Sequence, residues 1–206
     1  MADDQLAVPG VPFALAPAPA SAWRLDGSRL SGTAAPHSDL FVDPGAGSPL
    51  NAESLLNAAT LLGTAPEGDF QLSARVTVGF AATYDAGVLL LWADEGLWAK
   101  LCFEFSPAGE AMVVSVVTRG VSDDANAFVV TGRSVWLRVS RVDRAYAYHA
   151  STDGDHWQFV RFFSLGEPAP VRLGFEAQSP TGDGCPVSFD EIRFVPRRLG
   201  DLRDGS

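Results

Sequence analysis

In the stretch WAKLCFEF, Trp98, Lys100, Cys102 and Glu104 alternate with Ala99, Leu101, Phe103 and Phe105. A strand sends alternate residues to opposite faces, so one set belongs in a core. The other sets an indole, an ammonium, a thiol and a carboxylate side by side. VWLRVSRV repeats the pattern, with Trp136, Arg138 and Ser140 opposing Val135, Leu137 and Val139. In VRLGFEAQS, Arg172, Gly174, Glu176 and Gln178 oppose Val171, Leu173, Phe175 and Ala177. If these strands neighbour one another, Lys100, Glu104, Arg138, Glu176 and Gln178 converge on one groove, lined by Trp98 and Trp136. Rings beside planar polar groups suit a sugar, whose apolar face stacks while its hydroxyls hydrogen-bond. The same faces also read as cross-strand ion pairs, each worth about 0.2–1 kcal/mol.

Glu104 and Glu176 raise a second possibility, glycoside hydrolysis. That chemistry needs two carboxyl groups about 5–5.5 Å apart for retention, or about 6.5–9.5 Å for inversion. Lys100 and Arg138 on the same face would depress both pKa values, which opposes keeping one carboxyl protonated as the acid. Recognition without catalysis is therefore preferred.

The segment TRGVSDDANAF reads as a loop in which Arg119, Ser122, Asp123, Asp124 and Asn126 crowd a turn. It would hold an ion or a polar ligand, or Arg119 would pair with Asp123. QSPTGDG closes the same rim, with Gln178 and Ser179 as hydrogen-bonding candidates. In HASTDGDHW, Asp153-Gly154 marks a hairpin tip whose acids read as a solvated turn before they read as a calcium site, which needs six or more oxygens. His37, His149 and His156 are scattered, so no metal centre and no cofactor are expected. Cys102 reads as a buried inert thiol without an activating histidine, and Cys185 as a residue near a loop.

The net charge of −10 argues against nucleic acid and anionic membrane as partners, since both need a basic surface. The opening MADDQLAVPG lacks the basic residue and apolar run of a secretory signal. A cytoplasmic location with reduced thiols is expected.

The elements that must position these groups are strands. FQLSARVTVGF puts Phe70, Leu72, Ala74, Val76 and Val78 on one side, AGVLLLWAD is apolar on both, and EAMVVSVVTRG follows WAKLCFEF as a hairpin across SPAGE. SVWLRVSRV, RAYAYHAST, WQFVRFFSL, PVRLGFEAQ and VSFDEIRFV continue the series, and AWRLDGSRLSGTA reads as two short strands around Asp26-Gly27. SPLNAESLLNAATLLG fits either a short helix capped by Ser48 or Asn51 and closed by Gly63, or a loop leading into a strand. The pattern implies an all-β fold, a two-sheet antiparallel jelly-roll sandwich. A Pro/Ala-rich segment (1–20) precedes a single sandwich domain (21–196), and a charged tail (197–206) that frays or lies on the surface follows it.

Several blocks in order, GDFQLSARV, YDAGVLLLWADEGLWAKLCFE, VVSVVTRGVSDDAN, VWLRVSR, HASTDGDHW, VRLGFEAQSPTGDGC and VSFDEIRF, resemble the family called domain of unknown function 1349, or regulation-of-enolase-1-like. The likeness runs from Asp39 to Val195; SDDAN departs from relatives that carry an aromatic there. The resemblance implies a concanavalin A-like lectin/glucanase fold with one concave sheet, as in domains at the C-terminal end of some bacterial xylosidases and arabinosidases. It carries no settled activity. The expectation is a domain that binds a carbohydrate or similar polar small molecule on its concave sheet. The rivals are a glycoside hydrolase and a protein-interaction domain without a small-molecule ligand.

Overall fold

The computed structural model describes residues 5–18, 21–45, 53–166 and 170–206. Sixteen strands and no helix are present among them. In chain order they are β1 (Ala16–Pro17), β2 (Trp23–Asp26), β3 (Arg29–Thr33), β4 (Leu40–Phe41), β5 (Leu55–Leu56), β6 (Ala59–Thr64), β7 (Phe70–Val78) and β8 (Ala86–Asp94). There follow β9 (Leu97–Phe105), β10 (Ala111–Arg119), β11 (Val121–Val129), β12 (Ser134–Val142), β13 (Ala145–Ser151), β14 (Gln158–Phe163), β15 (Arg172–Gln178) and β16 (Pro186–Val195). The first sheet has the order β1-β6-β15-β8-β9-β10-β11, and the second β14-β13-β12-β7-β16-β3-β2. All pairings are antiparallel.

The alternation read from the sequence supplies the inner faces. Phe70, Leu72, Ala74, Val76 and Val78 of β7 meet Ala99, Leu101 and Phe103 of β9 in one core, with Val135, Leu137 and Val139 of β12 and Leu173, Phe175 and Ala177 of β15. Fully burying such a Leu or Phe is worth about 1.5–3 kcal/mol. At Gly87 of β8 the sheets approach closely, and a Cβ would sit 2.7 Å from Val76 Cγ1.

β8 is apolar on both sides because it is covered on both. Leu89 and Leu91 enter the main core, while Ala86, Val88 and Leu90 join a second cluster with Leu40, Leu62, Trp98, Cys102, Val114 and Val116. That second cluster lies on the outer face of the first sheet. The paired strands β4 and β5 contribute to its roof through Leu40 and the flanking Val42.

One reading of the sequence is corrected here, and of two alternatives left open for another segment the strand is the one found. TRGVSDDANAF is not a loop: after the turn at Gly120 (φ +79) its residues form β11, an edge strand paired along β10. Ser48 and Asn51 lie outside the described residues, but the rest of their segment forms β5 and β6 instead of a helix. Pairing of β6 with β1 on one edge and β15 on the other satisfies its backbone, and burial of Leu61 and Leu62 on opposite sides overrides the helical spacing.

The tail does not fray. Leu199 is buried, His149 Nε2 lies 2.9 Å from the Leu202 carbonyl, and Arg138 Nη2 donates to the Gly205 carbonyl at 2.5 Å. Near the end of the chain, β16 carries one extra residue between Asp190, paired with Arg75, and Arg193, paired with Ser73. Glu191 takes up the irregularity at φ +50.

Candidate functional site

The first sheet brings part of the expected set together. β9 and β15 are separated only by β8, in a register that aligns Glu104 with Ala86 and Gln178, and Cys102 with Val88 and Glu176. Lys100, Glu104, Glu176 and Gln178 therefore share the outer face. Arg138 does not. Its strand, β12, lies in the second sheet between β13 and β7, so both Arg138 and Trp136 are on the far side of the molecule. Alternation correctly sends them outward, but partner choice puts them on another sheet.

The face is also not open. Lys100 is only 2% exposed, and Trp98 and Glu176 are fully buried beneath the roof. Trp98 stacks on Trp92 with ring centroids 6.5 Å apart, its Nε1 donating to the Glu95 carbonyl, and being fully buried it offers no free ring face. The roof is pinned at two points. Ser38 and Ser179 exchange backbone hydrogen bonds of 3.2 and 3.0 Å. Val42 donates its N–H to Ser122 Oγ at 2.9 Å and accepts from the Ser122 N–H at 2.9 Å.

Between roof and sheet lies a cavity of about 280 Å³ whose walls include Lys100, Glu104, Asp124 and Gln178 from the sheet, Asp39, Phe41, Glu53 and Leu55 from the roof, and Tyr84 from the rim. Lys100 Nζ donates to Asp39 Oδ1 and to Gln178 Oε1, both at 2.7 Å. Gln178 Nε2 donates in turn to the Tyr84 carbonyl at 3.2 Å. Tyr84, 40% exposed, is held at φ +68, a conformation bulky residues rarely adopt. Larger hollows of about 340 Å³ around Phe70, Arg141 and Tyr146 and about 710 Å³ around Trp23, Arg29 and Pro186 have no buried charged side chain in their walls.

The electrostatics reverse an expectation. Burial pushes Glu104 and Glu176 up to about 8, against the opposing pull of Lys100. Desolvation thus outweighs the single nearby cation, and both carboxyls are largely protonated at neutral pH. Burial also raises Asp124. Burial disfavours the charged form of Lys100, but Asp39 and Glu176 more than offset it and hold the group above its usual range. Both carboxyl oxygens of Glu176 are buried without a hydrogen-bond partner, and Glu176 is not part of the cavity wall.

The other sequence candidates take scaffold or peripheral positions. Ser179 is buried; its Oγ donates to Asp85 Oδ1 at 2.6 Å and accepts from the Gly184 N–H. Asp123 pairs with Arg161 of β14 at 3.2 Å, linking the two sheets at their edge. Arg119 is exposed at the end of β10, outside the cavity wall. Cys185 is buried, with Sγ donating to the Gln178 carbonyl, and burial pushes it up to about 12; Cys102 is raised by burial likewise. Asp153 accepts from Ser151 and from the N–H groups of Asp155 and His156, with Gly154 at φ +86, which makes the tip a hydrogen-bonded turn. Among the described residues no group of three or more His, Cys, Asp or Glu is arranged for a metal. Asp39, Phe41, Glu53 and Tyr84 were not marked by alternation, because they stand on short or irregular segments.

The two-sheet antiparallel jelly roll is the architecture of the concanavalin A-like lectin/glucanase sandwiches, and the structural comparisons show that fold. A functionally unknown protein from Saccharomyces cerevisiae superposes with a TM-score of 0.74 at 23% identity, over 84% of this chain and 91% of that one. The GH43 protein BlXynB from Bacillus licheniformis gives 0.68 at 12% identity over 85% of this chain, which spans 35% of that enzyme. The carbohydrate binding module CBM66 from Bacillus subtilis gives 0.55 at 10%, over 92% and 98%. At these identities the likeness shows the fold alone. No curated protein matches the sequence. The profile of the family described as "Protein of unknown function (DUF1349)" matches residues 17–197, and the chain belongs to that family.

Proposed function

We propose that the cavity under β4 and β5 binds a carbohydrate or similar polar small molecule, without catalysis. The observation that carries this reading is the convergence of Lys100, Glu104, Asp124 and Gln178 with the rings of Phe41 and Tyr84 around one cavity. The rings offer apolar contact to a sugar face, and the polar groups offer donors and acceptors for hydroxyls. Acidic groups outnumber the single lysine in the wall, which favours an uncharged polyol over an anion. The fold shared with a carbohydrate binding module supports the reading as analogy.

A second reading, glycoside hydrolysis, is favoured by one observation: Glu104, raised to about 8, meets the requirement for a carboxyl that stays protonated near neutral pH. Against it, Glu176 is enclosed away from the cavity and offers no second carboxylate to the same ligand.

The test is calorimetric titration with a panel of neutral oligosaccharides, followed by reducing-sugar release. Binding that weakens about tenfold in Phe41→Ala and Asp124→Ala, with no sugar released, is the expected result. Release that is lost in Glu104→Gln would instead establish the hydrolase. No binding by any sugar, alongside a protein partner captured through Tyr84, would replace both with the interaction reading.

A further inference from the structure

The outer face of the second sheet holds a separate group of side chains that the cavity above does not use. The register places Arg138 of β12, Ser73 of β7 and Arg193 of β16 in one row across three adjacent strands. Cross-strand partners point to the same side, and neighbouring strands are about 4.8 Å apart, so the two arginines flank the serine about 10 Å from each other at their backbones. On one side of this row lie Trp136, Arg75 and Asp190, and on the other Ser140, Gln71 and Val195. A cavity of about 270 Å³ lies over these rows, with Trp136, Arg138, Trp157, Arg193 and Arg197 in its wall.

Three arginines meet one carboxylate in that wall, in a chain of net charge −10. The carboxylate, Glu191, is itself engaged: Trp136 Nε1 donates to it at 3.0 Å and Arg75 pairs with it at 3.1 Å. Arg138 is the critical group. It is 7% exposed, its guanidinium lies 4.1 Å from the centre of the Trp157 ring, and it donates a hydrogen bond to a neutral carbonyl, that of Gly205. Its Nε is buried without a partner, and no described carboxylate forms an ion pair with it. A buried, unpaired cation is costly to keep.

We propose that this face is an oxyanion-binding site for a small ligand carrying a carboxylate or phosphate group, seated between Arg138, Arg193 and Arg197 with its body against Trp136. A guanidinium fork offers parallel donors that match either group. Burial lowers Arg138 to about 10, so it remains charged at neutral pH. The exposed Arg193 and Arg197 supply attraction at the mouth, and the half-buried Trp136 a ring for the ligand body.

The test is calorimetric titration of the full chain at about 150 mM salt, where diffuse attraction is screened. The probes are inorganic phosphate, glucuronate and glucose 6-phosphate, with glucose as the uncharged control. Saturable binding of an anion is expected, weakened at least tenfold by the exposed double variant Arg193→Ala/Arg197→Ala and unaffected by Asp124→Ala in the other cavity. Glucuronate alone would assign a carboxylate ligand, and phosphate with glucose 6-phosphate a phosphorylated one. No anion binding, or binding that the double variant leaves intact, overturns the proposal. Neutral-sugar binding at the first cavity should survive the double variant, so failure here leaves that reading standing.

Discussion

The two outer faces arise from the same rule and end with opposite chemistry. On the first sheet, one buried lysine sits among Asp39, Glu104, Asp124 and Glu176 beneath a roof of chain. On the second, one buried arginine sits beside two more arginines and two indoles, without a carboxylate of its own. The lysine is compensated by its ion pair with Asp39, and Glu104 and Glu176 nearby are largely protonated at neutral pH. The arginine is uncompensated and its surroundings are rings. Local alternation decides that a charge points outward; what meets it there is decided by segments far away in the chain, residues 38–42 and 53–58 for the first face and the tail for the second.

The contrast is most exposed to Lys100→Met. Removing the cation strands Asp39 and Gln178 in a buried site and should cost about 3–5 kcal/mol in urea unfolding. Arg138→Met should cost less, about 1–2 kcal/mol, because it loses a stacked ring and one carbonyl hydrogen bond but leaves no carboxylate unpaired. Equal losses would show that the two charges are held in the same way.

The pH dependence should run in opposite directions. Glu104 and Glu176 titrate near 8 when folded and near 4.5 otherwise, so between those values the folded state holds more protons. Their contribution to stability therefore falls as pH rises from 4.5 to 8. His149, lowered to about 4 from 6.5 by burial, does the reverse: the unfolded chain holds the extra proton, and stability falls as pH drops from 6.5 to 4. Each limb is worth on the order of a few kcal/mol. Glu176→Gln should flatten the alkaline limb and His149→Gln the acid one, both read from denaturant midpoints across pH.

Smaller effects sharpen the picture. Ser122→Ala removes one anchor of the roof, with a loss of about 1 kcal/mol and faster hydrogen exchange at the Val42 amide. Arg193→Ala should change stability by less than about 0.5 kcal/mol, since the residue is exposed. A large loss there would mean that Arg193 is structural and would weaken its assignment to a ligand.

Much of the fold was legible, because apolar residues at every second position in Phe70–Val78 or Ser134–Val142 leave little choice of element or inward face. The family resemblance read from the ordered blocks also holds. The site was legible only in part. Lys100, Glu104 and Gln178 do meet at one cavity, with Asp124 joining them from an edge strand that its acids and Asn126 disguised as a loop. Arg138 was misplaced because nothing local distinguishes a strand that pairs with β7 from one that pairs with β9. The roof was missed because its two-residue strands are too short to show a period. A signal for the second face did exist: arginines crowd the end of the sequence at Arg193, Arg197, Arg198 and Arg203.

The single surplus residue in β16 acts as a phase shifter. Counting by twos from Phe189 would place Arg193 with the core and Phe194 in water. Because the strand skips a beat at Glu191, Phe194 instead stacks inward on Phe70 and Arg193 comes out beside Ser73. Deleting Glu191 would leave a regular strand with the same two destinations, whereas pairing all of its residues without the bulge would exchange them, so the basic character of that surface depends on the bulge absorbing one amino acid that adds no positive charge of its own.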